Sequence, residues 1–253
     1  MPTYGPTFAR VYDLHWAGFS QQVAPRLLEY YARTPLGQTN RTLLDLGCGT
    51  GQLALHFLQQ GYRVTGLDLS ESMLEQARAH TLPYIDNGQA RFIQGDAAAF
   101  RMTERFGLVL STYDALNHLQ NFDDLCWCFR SVWNVLEEGG TFIFDLNTRA
   151  GLYQRWNGIA IEETDDAIVV TRGIYDGEGN RATLRATGCV RLPDGHYERF
   201  AETMFNTIFD LRAVHSALLE LGWPHVHFAC LSDLDTPLTE PEREGRVWIV
   251  AGR

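Results

Sequence analysis

The apolar positions of this chain change period several times, and each change marks an element. Residues 7 to 16 (TFARVYDLHW) lead into FSQQVAPRLLEYYART, where Val23, Leu27, Tyr30 and Tyr31 share one helical face and Ser20 offers a cap. Leu43 and Leu44 then end a buried strand, and Leu53, Ala54, Phe57 and Leu58 return to helical spacing until Gly61. YRVTGLDLS predicts a second strand, ESMLEQARAH a helix capped by Ser70, and RFIQGDAAAF a third strand with its exit. FGLVLSTYDALNHLQN is a fourth strand and loop. FDDLCWCFRSVWNVLEEGG is an amphipathic helix stopped by Gly139 and Gly140, before the continuous apolar run TFIFDLNT of a central parallel strand. Strands alternating with helices predict an α/β fold around an open, mostly parallel sheet.

Beyond Arg149 the pattern switches to period two. Residues 159 to 207 alternate strongly and carry the turn signals DGEGN at 176 to 180 and PDG at 193 to 195, which predicts three or four antiparallel strands. Arg172, Arg181, Arg185, Arg191 and Arg199 alternate with apolar residues as a solvated face would. LRAVHSALLELGW restores a helix, and HVHFACL and RVWIVAGR close the chain as strands. The link between those two contains Pro237 and Pro241 and no helical period, so the last strand, near 246 to 251, is expected to run antiparallel. The domain expectation is therefore a core of residues 1–149 and 211–253, interrupted by a β insert of residues 150–210. Leaving from the carboxyl end of the fifth strand, the insert is expected above the ligand side, as a lid or as a dimer element.

Composition narrows the function. With 253 residues and 45% hydrophobic content the chain can bury a large core. No apolar run reaches the ~18 to 20 residues of a membrane helix, and MPTYGPTFARVYD lacks a signal-peptide core, so the expectation is a cytoplasmic protein with no membrane partner. The formal charge of −10 and the lack of a basic cluster argue against nucleic acid and for a small-molecule acceptor. All 21 basic residues are arginine; without lysine, Schiff-base and P-loop chemistry are excluded. Five cysteines without C-x-x-C spacing suggest neither disulfides nor zinc, and they are expected reduced and mostly buried. His225 and His227 lack a third ligand, so no metal is expected.

The candidate chemistry centres on LLDLGCGTG, residues 43 to 51, where a strand, a glycine turn and a helix N-terminus form a nucleotide-type cleft. A dinucleotide site prefers G-x-G-x-x-G, whereas Gln52 stands where its third glycine would fall. With Asp45 two positions before Gly47, the segment resembles motif I of the class I S-adenosylmethionine (SAM) methyltransferases. The resemblance covers residues 43 to 148 well, the termini moderately and the insert loosely. It implies a Rossmann-like seven-stranded methyltransferase sheet, with SAM as cofactor and S-adenosylhomocysteine as product.

Residue by residue, the resemblance assigns the cofactor to Asp45, Gly47, Cys48, Gly49 and Gly51 in the turn. Asp68 falls 17 residues after Gly51, near the spacing for ribose hydroxyls, with Leu69 and Met73 flanking the adenine. Asp96 and the backbone of Ala97 follow for the adenine edge, Ser111 for the methionine end, and Tyr12 for an N-terminal helix folded over the cofactor. Tyr113, Asn117, Tyr153, Arg155 and Trp156 are expected at the acceptor. His118, whose ordinary pKa is near neutral, is the candidate general base, against an alternative as a packed core histidine. The expected activity is methyl transfer to a small N or O nucleophile. A non-catalytic SAM-binding protein and, further off, an NAD-dependent oxidoreductase are the alternatives, separable by turnover on an acceptor panel and by NADH binding. Monomer and homodimer stay open.

Overall fold

The computed structural model describes residues 4–175, 177–192 and 194–253. Residues 1–3, and the Asp176 and Pro193 of the two turn signals, lie outside the described residues. Seven strands form one sheet: β1 (Thr42–Leu46), β2 (Arg63–Asp68), β3 (Ala90–Gln94), β4 (Phe106–Ser111), β5 (Leu136–Asn147), β10 (His225–Ala229) and β11 (Arg246–Gly252). Their spatial order is β10-β11-β5-β4-β1-β2-β3. β11 is antiparallel to both of its neighbours, and the pairings among β5, β4, β1, β2 and β3 are all parallel. The expected reversal of the last strand is found. The chain changes direction across the sheet between β1 and β4, which opens a crevice above their carboxyl ends.

Alternation along the central strands divides the core between two faces. Leu44, Val109, Phe142, Phe144 and Ile249 pack with Leu125 and Phe129 of α6 (Phe122–Val135) and Val214 and Leu218 of α8 (Leu211–Glu220). Leu43, Leu108, Leu110, Ile143 and Trp248 face α2 (Gly18–Arg33), α3 (Gln52–Gln59) and α4 (Glu71–His80). Both faces of the parallel strands are covered, which is why TFIFDLN reads as an unbroken apolar run.

Two expected boundaries move. Helix α2 begins at Gly18, so Ser20 lies inside it, and its amide bonds to the Ala17 carbonyl instead of serving as cap. Helix α6 ends at Val135 rather than at Gly139. The segment Leu136–Gly140 is drawn into β5 because the Gly139 amide bonds to the Arg253 carbonyl and the Arg253 amide to that of Gly140, each at 3.0 Å. The Arg253 guanidinium also donates to the carbonyls of Trp133 and Leu136, satisfying acceptors at the helix end.

The insert follows α7 (Arg149–Arg155) and consists of β6 (Gly158–Glu163), β7 (Ala167–Ile174), β8 (Arg181–Arg191) and β9 (Tyr197–Thr207), paired antiparallel in that order. Its inner face, with Val169, Ala182, Ala186, Phe200 and Met204, is buried against Phe8, Ala9 and Val11 of α1 (Pro6–His15) and against Leu152 and Trp156. Helix α1 is tied across by Gly5 N to Glu202 Oε1 (3.3 Å), Thr7 Oγ1 to Glu198 Oε1 (2.6 Å) and His15 Nδ1 with Glu162 Oε2 (3.1 Å). On the opposite face Ile159, Ile161 and Ile174 are exposed, and so are the five alternating arginines. No helix among the described residues is long and apolar enough to cross a membrane. All five cysteines are free; only Cys48 and Cys128 are fully buried.

Candidate active site

A cavity of 530 Å³ lies above the β1/β4 crevice, between the core, α1 and the insert. Its floor is the glycine turn. Gly47 and Gly49 are in the left-handed region (φ 68° and 52°), and the amides of Gly47 and Cys48 both bond to the Leu67 carbonyl, folding the turn back on β2. A Cβ on Gly47 would sit 2.7 Å from the Ala115 side chain, so this position needs glycine both for φ and for space. A Cβ on Gly49 would meet only the Tyr12 ring, at 3.8 Å; here the backbone lies open to the cavity.

Asp68 completes the floor. It accepts from Gly49 N (2.8 Å) and Ser70 N (2.9 Å), so one carboxylate braces the turn and the cap of α4 together. Burial, only partly offset by these bonds and by His118, pushes its carboxyl above the ordinary carboxylate range. Leu69, Met73, Asp96 and Ala97 continue the wall, and Asp96 Oδ1 accepts from Ala98 N at 2.8 Å. Asp45 lies beneath the turn, 1% exposed, with Oδ2 lacking a partner; burial first and Asp68 second push its carboxyl up to about 7.

The other end of the cavity is built from side chains. Tyr113 and Asp114 are the only described non-glycine residues with positive φ (62° and 52°), and a buried ionic cluster holds them there. Asp114 N donates to Asp145 Oδ2 (2.9 Å), Arg246 Nη2 donates to Asp114 Oδ1 (2.7 Å), and Arg246 Nη1 pairs with Asp145 Oδ2. The Tyr113 ring stacks on Phe19 at 4.3 Å, and the Arg246 guanidinium lies over both rings. Burial opposes the Arg246 charge, but Asp145 and Asp114 outweigh it and hold the guanidinium above its ordinary value. Burial first, then Asp114, pushes the Tyr113 phenol up to about 12, and burial raises Tyr12 well above the ordinary value.

His118 lines the same cavity from the short helix Ala115–His118. Burial lowers its pKa, against smaller opposing effects of Asp114, a hydrogen bond to the Phe205 carbonyl, and Asp68. Burial therefore favours the neutral ring, in which one nitrogen carries the proton and the other can accept.

The cavity brings together Tyr12, Gly47, Gly49, Asp68, Leu69, Met73, Asp96 and Ala97 with Tyr113, His118, Arg155 and Trp156. Other expected residues lie elsewhere. Asp45 lies under the turn, Cys48 and Gly51 belong to the turn but do not line the cavity, Ser111 is buried with its hydroxyl on the Leu46 carbonyl, and Asn117 is buried in an amide cluster. Tyr153 belongs to a separate cavity beside Arg149 and Arg212. His227 is not a bare surface residue: its Nε2 bonds to the Leu234 carbonyl at 2.8 Å. Arg246 and Glu162 line the cavity without any local signal in the sequence; strand pairing alone brings them there. Among the described residues there is no group of three or more potential metal ligands.

Residues 43–140 match a family described as "Methyltransferase domain". A putative methyltransferase of Geobacillus sp. (strain WCH70) is 27% identical over 209 residues, covering 82% of this chain and 81% of that protein. The dTDP-3-amino-3,4,6-trideoxy-alpha-D-glucopyranose N,N-dimethyltransferase of Streptomyces venezuelae is 27% identical over 224 residues, covering 87% and 91%. The crystal structure of an S-adenosylmethionine-dependent methyltransferase from Clostridium acetobutylicum ATCC 824 superimposes with a TM-score of 0.77 at 23% identity, covering 97% of each chain. With its glycine floor and reversed last strand, this chain has the fold of the class I SAM-dependent methyltransferases, and its residues 43–140 are a methyltransferase domain. The cofactor named for the structural neighbours is SAM. The floor fits that group: the open Gly49 backbone and the Asp68 carboxylate face the same space as Leu69 and Asp96.

Proposed function

We propose that the enzyme methylates the amino nitrogen of a small sugar-type acceptor, using His118 to take the proton that the nitrogen sheds. The observation that carries this reading is the place of His118, which lines the cavity beside Asp68 and Asp96 with a pKa that burial lowers. The named activity of the Streptomyces venezuelae relative supports an amine acceptor. SAM supplies an electrophilic methyl carbon on its sulfonium, so the protein's own work is to align a nucleophile and exclude water. Gly47, Gly49, Asp68, Asp96 and Ala97 hold the cofactor; Tyr12 closes over it from α1. Tyr113, Arg155 and Trp156, with Glu162 and Thr171 of the insert, line the acceptor end, so the insert acts as a lid on that end. Arg155 offers its guanidinium to an anionic or oxygen-rich part of the acceptor.

The test is turnover with dTDP-3-amino-3,4,6-trideoxy-α-D-glucopyranose against the matching 3-hydroxy sugar nucleotide, in wild type and His118→Asn. The amine is expected to be methylated and the alcohol not. His118→Asn is expected to lower kcat by about a hundredfold, the lower end of the range for loss of one general base, with S-adenosylhomocysteine affinity unchanged. Because burial lowers the His118 pKa, the acid limb of the wild-type profile should fall below pH 6.5 and vanish in the variant. An unchanged acid limb in His118→Asn would remove the base role; methylation of the alcohol alone would remove the amine reading.

A further inference from the structure

We propose that Asn206, on the insert and outside the cavity, is a positioning residue: through the Asn147 amide it sets the place of the Arg155 guanidinium in the acceptor wall. The inference rests on the reading of Arg155 as an acceptor contact. Among the described residues Arg155 has no carboxylate partner; Nη2 donates instead to Asn147 Oδ1 and to the Gly245 carbonyl (3.0 Å). An amide has one accepting end, so this contact exists only while Asn147 turns its oxygen toward Arg155. Asn206 enforces that choice, since its Oδ1 accepts from Asn147 Nδ2 at 2.8 Å. Were the Asn147 amide to flip, its NH₂ would face the guanidinium and its oxygen would face the Asn206 oxygen, two mismatches in a site where Asn206 is 0% and Asn147 3% exposed.

The backbone of Asn147 is anchored independently. Its amide donates to Asn117 Oδ1 (2.9 Å), while Asn117 Nδ2 donates to the Asn147 carbonyl (3.3 Å) and the Thr207 carbonyl (2.9 Å). Asn117 therefore fixes where Asn147 stands, and Asn206 fixes which way its side chain faces. The groove for the guanidinium depends on glycine: a Cβ on Gly245 would come within 2.9 Å of Arg155 Nη1, the far end of a flexible side chain. Asn206 lies on β9, Asn147 on β5 and Arg155 on α7, so the insert's seating is read out at one acceptor contact.

Two readouts test this. In the S-adenosylhomocysteine complex, phenylglyoxal modification of Arg155 is followed by mass spectrometry against Arg33, an exposed arginine paired with Asp235. Asn206→Leu is expected to speed Arg155 modification by about tenfold, the scale of one lost hydrogen bond to a charged group. Gly245→Ala should do the same by displacing the guanidinium directly. Asn206→Ser, too short to span the gap, serves if the leucine variant does not fold. With dTDP-3-amino-3,4,6-trideoxy-α-D-glucopyranose as acceptor, Asn206→Leu should raise KM with little change in kcat, and should add nothing in an Arg155→Ala background. Unchanged labelling in both Asn206 variants, or KM effects that multiply in the double variant, overturns the relay. The labelling needs no acceptor, so it decides the relay even if the amine reading fails.

Discussion

The two ends of the cavity are built from different materials. At the floor the contacts come from backbone: glycines with positive φ, amides of Gly47, Cys48 and Gly49, and one carboxylate that braces them. At the far end the contacts are side chains that lie distant in sequence, with Arg246 joining Asp114 and Asp145, and Asn206 meeting Asn147. A backbone-built site tolerates change in everything except the few residues whose conformation it needs. A site built from buried charges depends on each partner, because one deletion strands the others.

Arg246→Ala should have the largest effect. It leaves Asp114 and Asp145 buried without their cation, and breaking such a pair costs about 3 to 5 kcal/mol. Thermal unfolding should show the loss. If the two ends are as separate as their construction implies, S-adenosylhomocysteine affinity measured on the folded fraction stays near wild type; a parallel fall in affinity would break the contrast. Asp68→Ala should do the reverse. Removing the brace of Gly49 and Ser70 should weaken S-adenosylhomocysteine binding by about 1.5 to 3 kcal/mol, the scale of a hydrogen bond to a charged group, and leave Arg155 labelling untouched. Equal affinity in calorimetry would take Asp68 out of the site.

The smallest effect is expected at Asp45, and it sharpens the contrast through pH. Its folded pKa, about 7 against an ordinary 3.8, means that the native state keeps a proton the unfolded chain has already released. The stability it contributes is complete below about pH 4 and is lost as pH rises toward 7. Asp45→Asn, which cannot ionise, should therefore be more stable than wild type above pH 7 by about 1 to 2 kcal/mol, a fraction of the full shift because a buried site relaxes. The two unfolding curves should converge toward pH 4. A difference independent of pH would mean that Asp45 is not the titrating group.

The same contrast explains what could be read from the chain alone. The glycine floor is local: strand, turn and helix follow one another in LLDLGCGTGQLALHF, so Gly47 and Gly49 were legible, and so was Asp68 at the next strand tip. The insert showed itself by its change of period. Arg246 did not, because its role depends on the antiparallel register that pairs it with Asn147 and Trp248 with Asp145, and no neighbouring residue encodes that register. Asn206 was hidden likewise, as one polar residue among the alternating positions of β9. Asp45 points the other way. It fits the motif, yet at 1% exposure it lies under the turn and does not line the cavity. The early end of α6 was invisible for a related reason, since it depends on Arg253, more than a hundred residues downstream.

Helix α1 joins two structures at once. Its Phe8 and Tyr12, with Tyr4 and Trp16 on either side of the helix, line the cavity, while Phe8, Ala9 and Val11 cover the inner face of the insert. Asp13 meets Gln52 and His80 of the core, and the Tyr4 carbonyl accepts from Ser70. A motion that lifts α1 from the cavity therefore also strips the insert of its apolar cover. Such an opening is a cooperative sub-global unfolding, not the fraying of a terminus. Its rate is governed by the hydrophobic contacts of the insert, so substitutions on β8 and β9 that never touch a ligand can alter how long a ligand stays.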